Sequence, residues 1–415
     1  MTISTYIPKL SAEQKFMLSV LIVNAGNYVY NLALGRILGP EAFADAAILI
    51  TLLLVLSFVA MTFQLATTKF SVIFESSIFR GFINIMYRYS LITGILIGLS
   101  FIIFSKELQA IFHTQSSTIF IIFGLGIPIY FVMSVNRGIY QGIKKFDRLA
   151  YTYQGEMISR LVITLALLYL LPIPSSMVVA MGIACSFIFG LHPFRTKDIT
   201  TNFSITLPSS HKKQVYRFFT LTAFYELTQI IINNSDILLV KHYFEGYEAG
   251  LYASLALIGR VVYFVAWMFV MLLLPKVVQK QKEGKNTTSI LFSYVGYISI
   301  LAFIIVLSCY LFPELVIQLM FGSEYLSMAP LLWKYAIATS LFALSNIFAY
   351  YFLSLDHYIP VLLSGILGIT QVLLITLFHQ SLTQVVHMQI IAMAILLVVQ
   401  LLFFFRKNAD STSKD

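Results

Sequence analysis

Asn24, Asn27 and Asn31 recur at steps of three and four in an otherwise apolar stretch, so a helix stacks their carboxamides on one face. With Tyr28 and Gln64, such groups either hydrogen-bond a hydroxyl-rich ligand or tie neighbouring helices together. A second set comprises Glu226, Asn233, Asn234 and Asp236, with Glu226 and Asn233 seven residues apart and again on one face. Arg260 follows within reach of that set. Its planar fork suits phosphate oxygens, and equally a structural pair with Asp236 or Glu226. Glu156 and Arg160, four apart, neutralise each other along one helix or leave Arg160 as an anion ligand. Arg36 and Lys334 either snorkel from span ends or meet an anion there, and Lys69 and Lys276 either anchor span ends or catch an anion at the same depth. Pro128 and Pro275 read as shapers of helix ends or kinks. The catalytic patterns are missing: the sequence has no Gly-rich loop ending in Lys-Ser, no His/Cys ligand spacing and no Ser-His-Asp set.

The elements that carry these residues follow from composition. Hydrophobic residues make up 59% of the 415 and charged ones 11%, and the mean hydropathy is +0.86. Runs such as Ala46–Thr68, Thr114–Asn136, Asn286–Pro313 and Tyr358–Phe378 suffice to cross a hydrocarbon core of about 30 Å as helices. Unbroken apolar runs exclude the alternation of a membrane barrel, which leaves an all-α polytopic membrane protein. About twelve transmembrane helices are expected, near 12–36, 43–68, 81–105, 114–136, 149–170, 175–191, 214–241, 249–275, 287–311, 328–352, 358–379 and 384–405. Pro172 and Pro174 mark the turn between the fifth and sixth. The first stretch is long and lacks a small-residue cleavage site, so it reads as a retained span.

Between spans, 21 Lys and Arg collect on the side of the N-terminus against three on the other, Arg36, Lys106 and Lys241. Both termini are therefore expected in the cytoplasm. A cytoplasmic rim facing anionic lipid accounts for the net charge of +9 without nucleic acid. Cys185 and Cys309 fall inside spans, so core positions are expected rather than a disulfide.

The phrase "GPEAFADAA" at Gly39 returns as "GYEAGLYAS" at Gly246. A shift of 207 superimposes Asn27 on Asn234, Gly39 on Gly246, Glu41 on Glu248, Ala42 on Ala249, Ala46 on Ala253 and Lys69 on Lys276. Six spans per half is an even number, so the halves repeat in parallel about an axis along the membrane normal. The expected lobes are 1–191 and 214–415, joined by a cytoplasmic linker over 192–213.

The stretches "YNLALGRILGPEAFADAAI" and "SDILLVKHYFEGYEAGLYASLALIGR", running on to "LLLPKV", resemble the polysaccharide-exporter branch of the multidrug/oligosaccharidyl-lipid/polysaccharide transporter superfamily, with O-antigen flippases nearest. Ala44 and Asp45 depart from that pattern, which more often shows Gly and an uncharged residue. The resemblance implies a MATE-like fold and a flippase in the bacterial cytoplasmic (inner) membrane. Its cargo would be undecaprenyl-diphosphate-linked oligosaccharide, moved by alternating access, with other surface-glycan assembly proteins as partners. Asn24, Asn27, Asn31, Gln64, Arg36, Lys69, Arg160, Asn233, Asn234, Arg260, Lys276 and Lys334 are then the candidate substrate ligands. Glu226 and Asp236 are candidates to carry a coupling H+ or Na+, with no cofactor or metal otherwise. A multidrug/cation antiporter of the same superfamily and a membrane-embedded glycan polymerase are the alternatives. The short outer loops argue against the polymerase, and the mixture of Arg, Lys, Asn and Gln with few acids argues against the antiporter.

Overall fold

Gly39 and Pro40 shape the first element. In the computed structural model, which describes residues 12–194 and 207–412 except 264, 267, 268, 270–272, 274–276, 278, 279, 282, 356 and 358, the expected first two spans form one element, α1 (Ala12–Ile73), broken at Gly39. There φ is 71° and ψ 171°, a region that glycine alone tolerates, and Pro40 follows without a backbone donor. Further helices are α2 (Ser76–Ile103), α3 (Ser105–Phe112), α4 (Thr118–Gly142), α5 (Phe146–Leu170) and α6 (Ser175–Leu191). The second half continues with α7 (Ser209–Tyr243), α8 (Gly246–Gly259), α9 (Thr288–Leu311), α10 (Pro313–Met320), α11 (Ala329–Ser354), α12 (Ile359–Leu377) and α13 (Leu382–Thr412). No strand occurs among the described residues.

The helices follow the expected spans closely. The α5–α6 break falls at Leu171–Pro174, where the prolines require it. Each half also adds an eight-residue helix after its third span, α3 and α10. The expected span 249–275 is interrupted at Arg260, where α8 stops. The Gly259 carbonyl freed at this step accepts a hydrogen bond from Thr339 Oγ1 at 2.7 Å.

Among the described residues, six helices are long and apolar enough to cross a membrane, and the burial pattern has the sense that lipid demands. Along α5 the buried stripe holds Thr152, Glu156, Arg160 and Thr164 beside Leu149 and Met157, while Tyr151, Ile158, Val162, Tyr169 and Leu170 are exposed. A soluble helix would be arranged the other way round. The chain is an all-α, multi-pass membrane protein.

Two compact units result: Met1–Leu34 with Leu56–Glu226, and Gly35–Val55 with Leu227–Asp415. They differ from the expected lobes at two places, each with a physical cause. Gly35–Val55 is held in the second unit by the buried Asp45–Lys241 ion pair at 2.8 Å and by Tyr325 OH donating to the Gly35 carbonyl at 2.8 Å. Residues 209–226 are held in the first by Phe218 against Phe70, Phe219 against Phe63 and His211 against Phe74.

Within the second unit the repeated phrases meet. A Cβ placed on Gly250 would lie 1.8 Å from the Pro40 carbonyl oxygen, and one on Gly246 would touch Glu41. The entry to the expected linker is also fixed: Asn136 Nδ2 donates to the carbonyls of Leu191 and Pro193, and Tyr140 OH to that of Pro193.

Candidate functional site

In the first unit, polar groups of α1, α4 and α5 converge around α5's buried stripe. Arg137 of α4, 4% exposed, donates from Nη2 to Glu156 Oε2 at 2.7 Å and to the Thr152 carbonyl at 2.8 Å, and from Nε to Thr152 Oγ1 at 3.1 Å. Its guanidinium lies 4.0 Å from the centre of the Tyr153 ring. Arg160 reaches the other Glu156 oxygen at 3.6 Å and donates to Asn27 Oδ1. Tyr30 OH pairs with Thr164 Oγ1 at 3.2 Å. Tyr153 OH accepts from Gln64 Nε2 at 2.9 Å, and Gln64 in turn donates to Gln141 Oε1 at 3.0 Å. Two guanidiniums thus share one carboxylate, so this buried cluster carries a local charge of +1. The Arg160 Nε–H is buried with no partner among the described residues.

The second unit builds a neutral cluster. Both oxygens of Asp236 are engaged: Oδ1 accepts from Arg260 Nη2 at 2.7 Å, and Oδ2 from Tyr335 OH at 2.7 Å and Tyr252 OH at 3.2 Å. Arg260 itself stands at the break, as the residue that ends α8 after Gly259. Beside the pair is a cavity of about 30 Å³, whose polar lining includes Asn233, Arg260, Thr339, Gln371 and Gln389. Asn233 Nδ2 donates to the Gln229 carbonyl at 2.9 Å.

A family model described as "Polysaccharide biosynthesis protein" matches residues 33–330. The chain belongs to that family. No curated protein matches the chain by sequence, but solved structures share its fold. A multidrug resistance MATE family transporter of the MOP superfamily, in its inward-facing conformation, matches with a TM-score of 0.78 at 13% identity, over 98% of this chain and 99% of that one. The lipid II flippase MurJ, inward closed, matches at 0.73 and 15% identity, over 94% and 87%. A MOP-superfamily transporter from Pyrococcus furiosus Vc1, described as having a binding pocket of reverse polarity, matches at 0.55 and 14%, over 94% and 92%. These likenesses establish the MATE-like fold expected from the sequence.

The other candidate ligands are scattered. Arg36 is spent on a helix end, its guanidinium donating to the carbonyls of Gln318, Leu319 and Met320 where α10 stops. Lys69 is exposed and lies 4.1 Å from the centre of the Phe218 ring. Lys334 Nζ lies 3.3 Å from His387 Nε2. Asn24 is exposed. Asn31 and Asn234 donate to carbonyls of their own helices, at Asn27 and Ile230. Lys276 and Pro275 lie outside the described residues. Glu226 is 6% exposed and makes no hydrogen bond or ion pair among the described residues.

Two cations read as loop anchors are buried pairs instead. Arg137 lies inside α4 because that helix runs to Gly142, six residues beyond the expected span. Lys241, expected as an outer-loop charge, is 3% exposed against Asp45. The Gly138/Gly142 spacing just after Arg137 was the available signal, since small residues four apart mark a continuing, closely packed membrane helix.

Proposed function

We infer that this protein is a flippase for undecaprenyl-diphosphate-linked oligosaccharide, an O-antigen or similar surface-glycan repeat unit, working by alternating access in the bacterial cytoplasmic membrane with both termini cytoplasmic. The single observation that carries this reading is the buried Arg137–Glu156–Arg160 cluster with its uncompensated positive charge. An unpaired cation in a membrane interior is costly, and an anionic cargo offsets it, whereas a cationic drug does not. Support comes from the family's description, from a lipid II flippase among the structural neighbours, and from a superfamily relative described by the polarity of its pocket. Arg160, Asn27 and Gln64 are the proposed cargo ligands, joined by Arg137. Other surface-glycan assembly proteins would act before and after the flip.

With both Asp236 oxygens engaged by Arg260 and two tyrosines, Glu226 is the proposed coupling residue for H+ or Na+. The antiporter of multidrugs or cations is the second reading. The lone buried Glu226 favours it, as do the MATE neighbours.

The test is flipping of lipid-linked oligosaccharide in proteoliposomes. Arg160→Ala is expected to abolish it while the protein still folds and inserts. Undiminished flipping by that variant, or efflux of cationic dyes by the wild type instead, would overturn the reading.

A further inference from the structure

Gln371 of α12 and Gln389 of α13, 1% and 5% exposed, both line the second unit's cavity. The Oε1 atom of each is buried with no hydrogen-bond partner among the described residues. Buried carboxamides left unpaired are destabilising, so two of them in the wall of one small cavity call for an occupant with matching polar groups. Turning either amide over leaves an NH2 unpaired in place of the oxygen, so the need does not depend on how the carboxamides are oriented.

The charges decide the class of occupant. A metal cation would sit against the Arg260 guanidinium, and both Asp236 oxygens already accept hydrogen bonds. An anion would meet no net positive charge there, because Arg260 is balanced one to one by that carboxylate. A neutral hydrogen-bonding group remains, and about 30 Å³ admits one hydroxyl or hydroxymethyl group.

We propose that Gln371, Gln389 and Asn233 form a subsite for a hydroxyl of a sugar residue, with Thr339 and Arg260 completing its wall. The proposal rests on the glycan reading above and deepens it. Charge recognition falls to the first unit and neutral, hydroxyl recognition to the second. A hydroxyl both donates and accepts, so it can satisfy the two carboxamides at once.

The two ideas fail separately, because sugar binding is measured without transport. Full-length protein in nanodiscs is examined by saturation-transfer NMR with methyl glycosides of glucose, galactose, N-acetylglucosamine and rhamnose. Transfer to at least one sugar is expected in the wild type. It should fall at least fivefold in Gln371→Leu/Gln389→Leu, whose melting temperature should equal or exceed the wild type's because unpaired amides have been removed. If the double variant does not fold, Gln371→Met and Gln389→Met are read singly, with the same loss expected. Transfer to no sugar would assign the cavity to ordered water and overturn the proposal. Transfer that survives the substitutions, or a sodium-dependent thermal shift that they abolish, would overturn it as well.

Discussion

Glu156 is the residue on which the first unit's electrostatics turn. Removing one partner from a buried ionic cluster leaves charge uncompensated, whereas replacing the whole cluster with apolar side chains is often neutral or stabilising. Glu156→Gln, which sets Arg137 and Arg160 against each other, is expected to lower stability by about 3–5 kcal/mol, read as a fall in melting temperature. The triple change Arg137→Met/Glu156→Leu/Arg160→Met should melt at or above the wild type and yet flip no cargo. Stability and transport would thereby separate in one protein. Sequence alone exposed half of this cluster. The four-residue step made the Glu156–Arg160 contact readable, but the shorter Glu156–Arg137 bond joins residues nineteen apart in sequence and on different helices, and no local spacing encodes it. Asp236 and Arg260 were readable as a pair because their position in spans left few other partners.

At the scale of elements, the twelve hydrophobic runs located the helices because hydrocarbon admits little else, and the prolines at 172 and 174 fixed a boundary to the residue. What remained hidden was how far helices run past their apolar cores, as α4 does through Arg137 and α7 does from Ser209. Hydropathy falls at such ends while backbone hydrogen bonding continues. The sharpest test of an element concerns the break in α1. Gly39→Ala forces a side chain into a region that costs about 1–3 kcal/mol, and Gly250→Val drives carbon into the Pro40 carbonyl, which as backbone cannot swing aside. Both variants should show lowered melting temperatures, with Gly250→Val the more damaging. On α5, Ile158→Arg would place a charge on the exposed apolar side. It is expected to cost about 2.5–3.5 kcal/mol if that side meets lipid at mid-depth, seen as reduced membrane insertion.

For the whole molecule, orientation is the first quantity to measure. In a background without Cys185 and Cys309, Ser116→Cys between α3 and α4 should react with an impermeant maleimide from outside the cell, and Ser209→Cys only after permeabilisation; the reverse pattern would invert the topology. The discontinuity of the second unit in sequence also has a consequence in time. Asp45 leaves the ribosome early, but its counter-ion Lys241 belongs to α7 in the other half of the chain. At about 5–20 residues per second, the roughly 200 intervening residues take on the order of 10–40 s to synthesise. Throughout that interval the carboxyl must stay protonated, remain in water or be sheltered by the insertion machinery. A nascent chain halted before α7 is complete is therefore a marked substrate for membrane proteases. In pulse–chase experiments, Asp45→Asn should lengthen the life of a fragment ending near residue 235 and shorten that of the full-length protein.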